Sequence, residues 1–186
     1  MEVFDAIRSR RSVGRLDGDV DEVQIRELIE LATWAPNHRL TEPWRFTVVR
    51  GAARERLGSI WASAAAADLT LTGEARDAAL QREAGKTLRA PVIIVASTRT
   101  DSDTVVAEED LAATAAAVEN LLLAAAARGL GAMWRTGDMA RNREVKAFLS
   151  LDPSDRIVAF IYLGRASGEA PPPKPREVDG VIRWLA

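Results

Sequence analysis

Cysteine is absent from the 186 residues, and histidine and tyrosine occur once each. The first absence removes disulfides, thiolate nucleophiles, iron–sulfur clusters and Cys-ligated zinc together. With His38 as the sole imidazole, a multi-histidine metal site cannot form within one subunit, and no metal ligand is assigned. A hydrolytic triad would have to use His38, yet no Gly-x-Ser-x-Gly elbow occurs. These absences push difficult chemistry onto a bound organic cofactor, and no side chain is assigned as a covalent catalyst. A surplus of positive charge is also missing, since 25 Lys and Arg face 27 Asp and Glu for a net charge of −2. General nucleic-acid binding draws its affinity from many uncompensated cations, so that class is disfavoured. The opening Met1-Glu2-Val3-Phe4-Asp5 lacks the basic-then-apolar profile of a signal peptide, and a cytoplasmic protein is expected.

What is present reads as one domain over residues 1–186, with 47% hydrophobic residues to build its core. Val3, Phe4 and Ile7 define a short amphipathic helix that stops near Gly14 and carries arginines in its last turn. A second helix is expected over Asp21–Trp34, capped by Asp21, with Val23, Leu28, Leu31 and Ala32 on its apolar face. Arg45–Val49 reads as a strand, Ala52–Ala67 as an Ala-rich helix, and Val92–Ala96 as a buried strand. Asp68–Leu88 is charged and lacks an apolar stripe, which suggests a mobile excursion containing a helix that could act as a lid.

Leu111–Ala127 is apolar on nearly every side and must be surrounded by protein, either as a central helix or at a subunit interface. Glu119 and Asn120 at its middle, with Glu108, Glu109 and Asp110 at one end, argue against a membrane span. Gly129 to Trp134 forms a helix stop and a short buried strand. The third glycine of a dinucleotide fingerprint is missing there, and the segment leaves a helix where it should enter one, so a Rossmann assignment is rejected. Asn142–Leu149 makes a small helix and Arg156–Leu163 a further strand. From Gly168 the prolines hold the chain extended until Val181, Ile182, Trp184 and Leu185, and a tail over 168–186 that docks on a partner subunit is expected.

Arg8-Ser9-Arg10-Arg11-Ser12 masses guanidinium forks and hydroxyls, a set that matches the oxygens of a phosphomonoester. Taken alone, the same residues read more simply as cations in the last turn of a helix, where the macrodipole favours them. His38 is either a structural loop histidine or a ligand-facing one, and Trp134 either a core aromatic or part of a site. Four segments occur in order: Arg10-Arg11-Ser12; Ala35-Pro36-Asn37-His38 with Pro43-Trp44-Arg45-Phe46; Gly131-Ala132-Met133-Trp134-Arg135-Thr136-Gly137; and Lys174-Pro175-Arg176. The ordered set resembles the nitroreductase family of flavin enzymes, closest to a small bacterial subgroup of NAD(P)H nitroreductases.

The resemblance implies an α+β three-layer fold, with a central mixed or antiparallel sheet flanked by helices, and a homodimer with FMN at the interface. It implies that Arg10 and Ser12 hold the FMN phosphate, that Arg11 reaches the ribityl chain or ring edge, and that Arg8 is left to solvent. The stretch Trp134, Arg135, Thr136 would lie beside the flavin, with the Thr136 backbone N–H directed at its N5 and Gly137 allowing close approach. His38 would reach across the dimer to the other subunit's FMN. Trp34 stands where some close relatives carry Arg, so a contact there would survive as stacking and not as a salt bridge. Lys174 and Arg176 match a basic tail motif that helps hold the phosphate, or are a solvated tail. Asn37, Leu40 and Glu42 depart from the Ser, Asn and Gln of the broader family, and the contacts made there are not carried over.

The function implied is an FMN-dependent oxidoreductase that passes hydride from NADH or NADPH to a small oxidised acceptor, a nitroaromatic or quinone, by a ping-pong mechanism. The alternatives are a flavin-binding or sequestering protein with little turnover, and a specialised enzyme of the same fold that dehalogenates, oxidises peptides or cleaves flavin.

Overall fold

In the computed structural model, which describes residues 1–67, 69–168, 172, 174 and 177–185, the first helix is shorter than its sequence pattern suggests. Helix α1 (Val3–Ser9) ends with Arg10 as its C-cap. The chain then turns extended, so only Arg8 lies in the last turn and Arg11 and Ser12 lie beyond the helix. Strand β1 (Leu16–Asp17) follows, then α2 (Glu22–Ala32), whose N-cap Asp21 accepts the Gln24 amide as expected. Helix α2 buries Ile25, Leu28 and Ala32, while Val23 is exposed. The inward stripe therefore starts from Ile25, at i, i+3 and i+7, and not from Val23.

Strand β2 (Trp44–Arg50) leads through Gly51 into α3 (Ala52–Ala66). The charged excursion is packed: α4 (Gly73–Gly85) lies against α3, and the turn after it, Lys86–Leu88, is fixed by the buried Thr87, whose hydroxyl donates to the Arg54 carbonyl at 2.8 Å. Their contact is close enough that a Cβ on Gly58 would sit 2.4 Å from the Ala84 carbonyl oxygen. The remaining elements are β3 (Val92–Thr98), α5 (Thr104–Ala127), β4 (Gly131–Arg135), α6 (Arg143–Phe148) and β5 (Arg156–Ala166).

Strand β5 is the spine of the sheet. One edge pairs antiparallel with β3, which in turn pairs with β2, and the other edge takes β4 and then β1. Every residue of β3 is buried, as its unbroken apolar run requires of a strand covered on both faces. Helices α2 and α5 pack on one side over Ile94, Ala96, Val158 and Ile161. Helices α3 and α6 pack on the other over Val95 and Phe160, where Trp61 meets Phe160 edge to face at 5.3 Å. The result is a three-layer α+β fold.

Helix α5 begins at Thr104, earlier than its apolar run, because Asp103 caps the Val105 and Val106 amides. Glu108, Glu109 and Asp110 are therefore helical residues and not a flank. The helix has the length and hydropathy of a membrane span, but its buried face (Ala113, Ala117, Val118, Leu121, Ala125) is the centre of the protein core. Its opposite stripe, Glu109, Ala116, Glu119, Asn120 and Leu123, is only half-buried by this chain.

Candidate functional site

The residues after α1 do not stay near the helix that carries them. Ser12 forms a parallel bridge with Ala132, and the Val13 amide donates to the Ala132 carbonyl at 3.1 Å. This sets Ser12, directly after Arg10 and Arg11, on the outer edge of β4, at the start of the strand that delivers Trp134 and Thr136. From Ala132 to Thr136 the strand covers about 13 Å. One strand edge thus unites the first and third of the four sequence segments.

Alternation along β4 then sorts its side chains. Trp134 points to the α5 side, packs against that core and donates its indole N–H to the Val158 carbonyl at 3.1 Å. Its polar handle is spent on the fold, so only ring and backbone remain for a ligand. Arg135 points to the opposite side, with its guanidinium 5.5 Å from the centre of the Tyr162 ring and its Nε 3.2 Å from the Met133 sulfur. Its side chain is thus held away from α5. Thr136 is exposed, and its amide has no hydrogen-bond partner among the described residues. Gly137 follows at φ 111°, with no atom within 4 Å of where a Cβ would stand. An unused N–H beside open space is what a planar ligand brought close to the backbone requires.

Helix α5 receives the other two groups. Arg10 Nε lies 3.2 Å from Glu119 Oε1, which leaves both terminal nitrogens of the guanidinium without an acidic partner among the described residues. Arg11 donates to the Arg10 carbonyl, and Ser12 is fixed through its backbone bridge to Ala132, with no partner for its hydroxyl among the described residues. Ten residues toward the helix N-terminus, about 15 Å along the axis, Glu109 Oε2 lies 2.6 Å from His38 Nδ1. The loop between α2 and β2 holds His38 there: the Thr41 hydroxyl donates to buried Asp110 at 2.6 Å, and the Asn37 side-chain oxygen accepts the Glu42 amide at 3.0 Å. Arg39, Leu40 and Glu42 take left-handed conformations with φ of 55°, 54° and 43°. Such backbone strain in non-glycine residues persists only where the surroundings impose it, and it collects at functional loops.

Arg10, Arg11, Ser12, His38 and Thr136 are therefore gathered around the open stripe of α5 and the outer edge of β4. Trp34, four residues before His38, has 77% of its surface exposed and its indole N–H held by Glu30 at 2.6 Å. Lys174 is exposed. Arg176 lies outside the described residues. Glu109, Asp110 and Glu119 entered the sequence reading only as charges against a membrane span and not as site residues; the signal was an acid interrupting an otherwise apolar helix. A cleft of about 300 Å³ lined by Arg143, Lys146, Ala147, Leu151 and Pro153 lies at α6, on the far side of the sheet from α5, and touches none of these groups.

The chain as a whole is similar to known proteins. The model of the Nitroreductase family matches residues 7–165. YfhC of Bacillus subtilis (strain 168), named as a putative NAD(P)H nitroreductase, is 31% identical over 173 residues, covering 92% of this chain and 88% of that protein. The nitroreductase-like family protein of Bacillus cereus superimposes with a TM-score of 0.84 at 29% identity, over 100% of this chain and 96% of that one. A Desulfovibrio desulfuricans protein crystallised in complex with FMN gives 0.76 at 25% identity, over 100% and 98%.

Proposed function

The chain belongs to the nitroreductase family, and from that premise we propose that it is an FMN-dependent oxidoreductase working as a cytoplasmic homodimer, with hydride from NADH or NADPH passed to a small, flat acceptor such as a nitroaromatic or quinone. The observation that supports the reading is the Ser12–Ala132 bridge, which brings Ser12, two residues after Arg10, to the strand that ends at the Thr136 amide, unpartnered among the described residues. The donors present fit FMN. A dianionic phosphate calls for the unpaired terminal nitrogens of Arg10 and the free Ser12 hydroxyl, and a ring edge calls for an unspent N–H in open space.

Bound FMN supplies the two-electron chemistry by which a donor and an acceptor react in turn. The chain's own residues do the rest. Arg10 and Ser12 neutralise and orient the phosphate, and Arg11 lies next to them for the ribityl chain or ring edge. Thr136 offers its backbone N–H to the ring, and Gly137 leaves room for the approach. Arg135 contributes backbone only, its guanidinium being held over Tyr162. His38 extends from its loop toward the partner subunit's cofactor. Trp34 offers an exposed ring for stacking, and Lys174 and Arg176 bring further cations to the phosphate.

Dimer formation is supported by the apolar surface one chain leaves uncovered. Val3, Phe4 and Ile7 on α1 are 59%, 69% and 54% exposed, and Trp184 and Leu185 in the tail 87% and 83%. Large apolar side chains left bare together on one short helix, as Val3, Phe4 and Ile7 are, mark a binding face. Ping-pong kinetics follow from one open site serving both substrates.

The test is FMN binding and reduction. Purified protein is expected to show flavin absorbance or to take up FMN, and to bleach on anaerobic addition of NADH or NADPH. Arg10→Ala is expected to weaken FMN binding by about 10- to 100-fold, the loss of a charge-assisted hydrogen bond. Wild-type protein that takes up no FMN would defeat the reading.

A further inference from the structure

His38 and Glu109 lie far apart in the chain, yet Nδ1 and Oε2 are 2.6 Å apart. A carboxylate can only accept, so the hydrogen of this contact belongs to Nδ1. The neutral ring then carries its lone pair on Nε2, which has no partner among the described residues. An exposed pair of this kind adds little to stability, so stability is a poor account of it. The loop is nevertheless heavily fixed. Thr41 is bound to Asp110, the Asn37 side-chain oxygen accepts the Glu42 amide, and Arg39, Leu40 and Glu42 hold left-handed conformations. Adjacent acids of α5 thus take the two ends of one segment, Asp110 its backbone course and Glu109 its imidazole.

We propose that Glu109 is a positioning residue that holds His38 as the Nδ1–H tautomer, so that the protein's only imidazole presents Nε2 as a hydrogen-bond acceptor to an N–H or O–H group of the bound flavin. Free histidine favours the opposite tautomer, with hydrogen on Nε2, which would present a donor there. Glu109 therefore decides the polarity of the hydrogen bond that His38 offers. The flavin end of this inference rests on the FMN reading above; the tautomer does not.

A single histidine makes the test direct, because its ring nitrogens need no assignment against others. Two-bond proton–nitrogen correlation spectra of ¹⁵N-labelled protein, FMN-free and FMN-loaded, are recorded at pH about 9, where an imidazole is neutral. Wild type is expected to show the protonated nitrogen at Nδ1. Glu109→Gln, whose amide can donate or accept, is expected to give a mixture, and Glu109→Ala a majority of Nε2–H. The FMN dissociation constant of Glu109→Gln is expected to rise about three- to tenfold, the range of one neutral hydrogen bond. A majority of Nε2–H in wild type, or the same tautomer in wild type and Glu109→Ala, would overturn the proposal. So would a tautomer that follows Glu109 while FMN affinity stays fixed, since the flavin would then not be the group that His38 meets. If wild type binds no FMN, the FMN reading fails and the flavin half of the proposal with it, while the spectra still decide the tautomer.

Discussion

Tyr162 shows how one side chain can carry two unfavourable terms and stay in place. It is 2% exposed in the middle of β5, and its enclosed hydroxyl has no partner among the described residues. Burial pushes its pKa up to about 12, with the Arg135 and Arg89 cations opposing the shift. The neutral phenol is thus the folded form, whereas the unfolded chain ionises near pH 10. Between those values the unfolded state has given up a proton that the folded state keeps, so this contribution is complete below about pH 10 and is lost as the pH rises toward 12. A shift of that size corresponds to roughly 2–3 kcal/mol. Tyr162→Phe is expected to flatten the alkaline limb of urea stability as the pH rises above about 10. At neutral pH it should match or slightly exceed wild type, because an unpaired buried hydroxyl is removed. A loss of 2 kcal/mol or more at neutral pH would show instead that the hydroxyl is bonded. The alternation that puts Arg135 over Tyr162 also separates its side chain from that of Trp134, with which the sequence motif groups it: adjacency in a motif says nothing about which face of a strand each side chain takes.

At the scale of elements, the contact between α3 and α4 is the most demanding. A methyl on Gly58 would meet the Ala84 carbonyl oxygen at 2.4 Å and the Thr87 hydroxyl at 2.7 Å, and the first of these is backbone that cannot rotate aside. Gly58→Ala is expected to force the helices apart and cost about 1–3 kcal/mol, read as a lower urea midpoint. Faster hydrogen exchange should be confined to residues 73–88. An unchanged midpoint would mean that α4 is not held where this contact puts it. That geometry also accounts for what was hard to read in the sequence. Helix α4 buries only Ala79 and adheres through backbone approach, so it has no apolar stripe to betray it. The start of α5 was hidden for a different reason, since the acidic turn Glu108-Glu109-Asp110 separates its short first turn, Thr104 to Ala107, from the long apolar run. Where a cap and a periodic stripe coincide, as from Asp21 through Ile25, Leu28 and Ala32, the element was legible to within two residues. The site was legible as an ordered set of motifs. Its supporting carboxylates were not, because their partners are tens of residues distant.

For the whole molecule, the groups around α5 occupy an open face and not a pocket, and the apolar residues of α1 and of the tail are left bare. If partner chains close that face, flavin affinity and subunit association are linked quantities. Phe4→Glu is expected to weaken the dimer by tenfold or more and to release FMN in parallel; sedimentation velocity with flavin absorbance follows both at once. A monomer that retains FMN would separate the two. The sheet imposes an order in time as well. Its spine, Arg156–Ala166, pairs with β1, β3 and β4 yet leaves the ribosome after all of them. Until then β3 presents the bare edge of Val92-Ile93-Ile94-Val95-Ala96, a segment fit for pairing with other chains. The nascent protein must therefore be sheltered until its last strand arrives, and a chain stopped before residue 156 should aggregate and not fold in part.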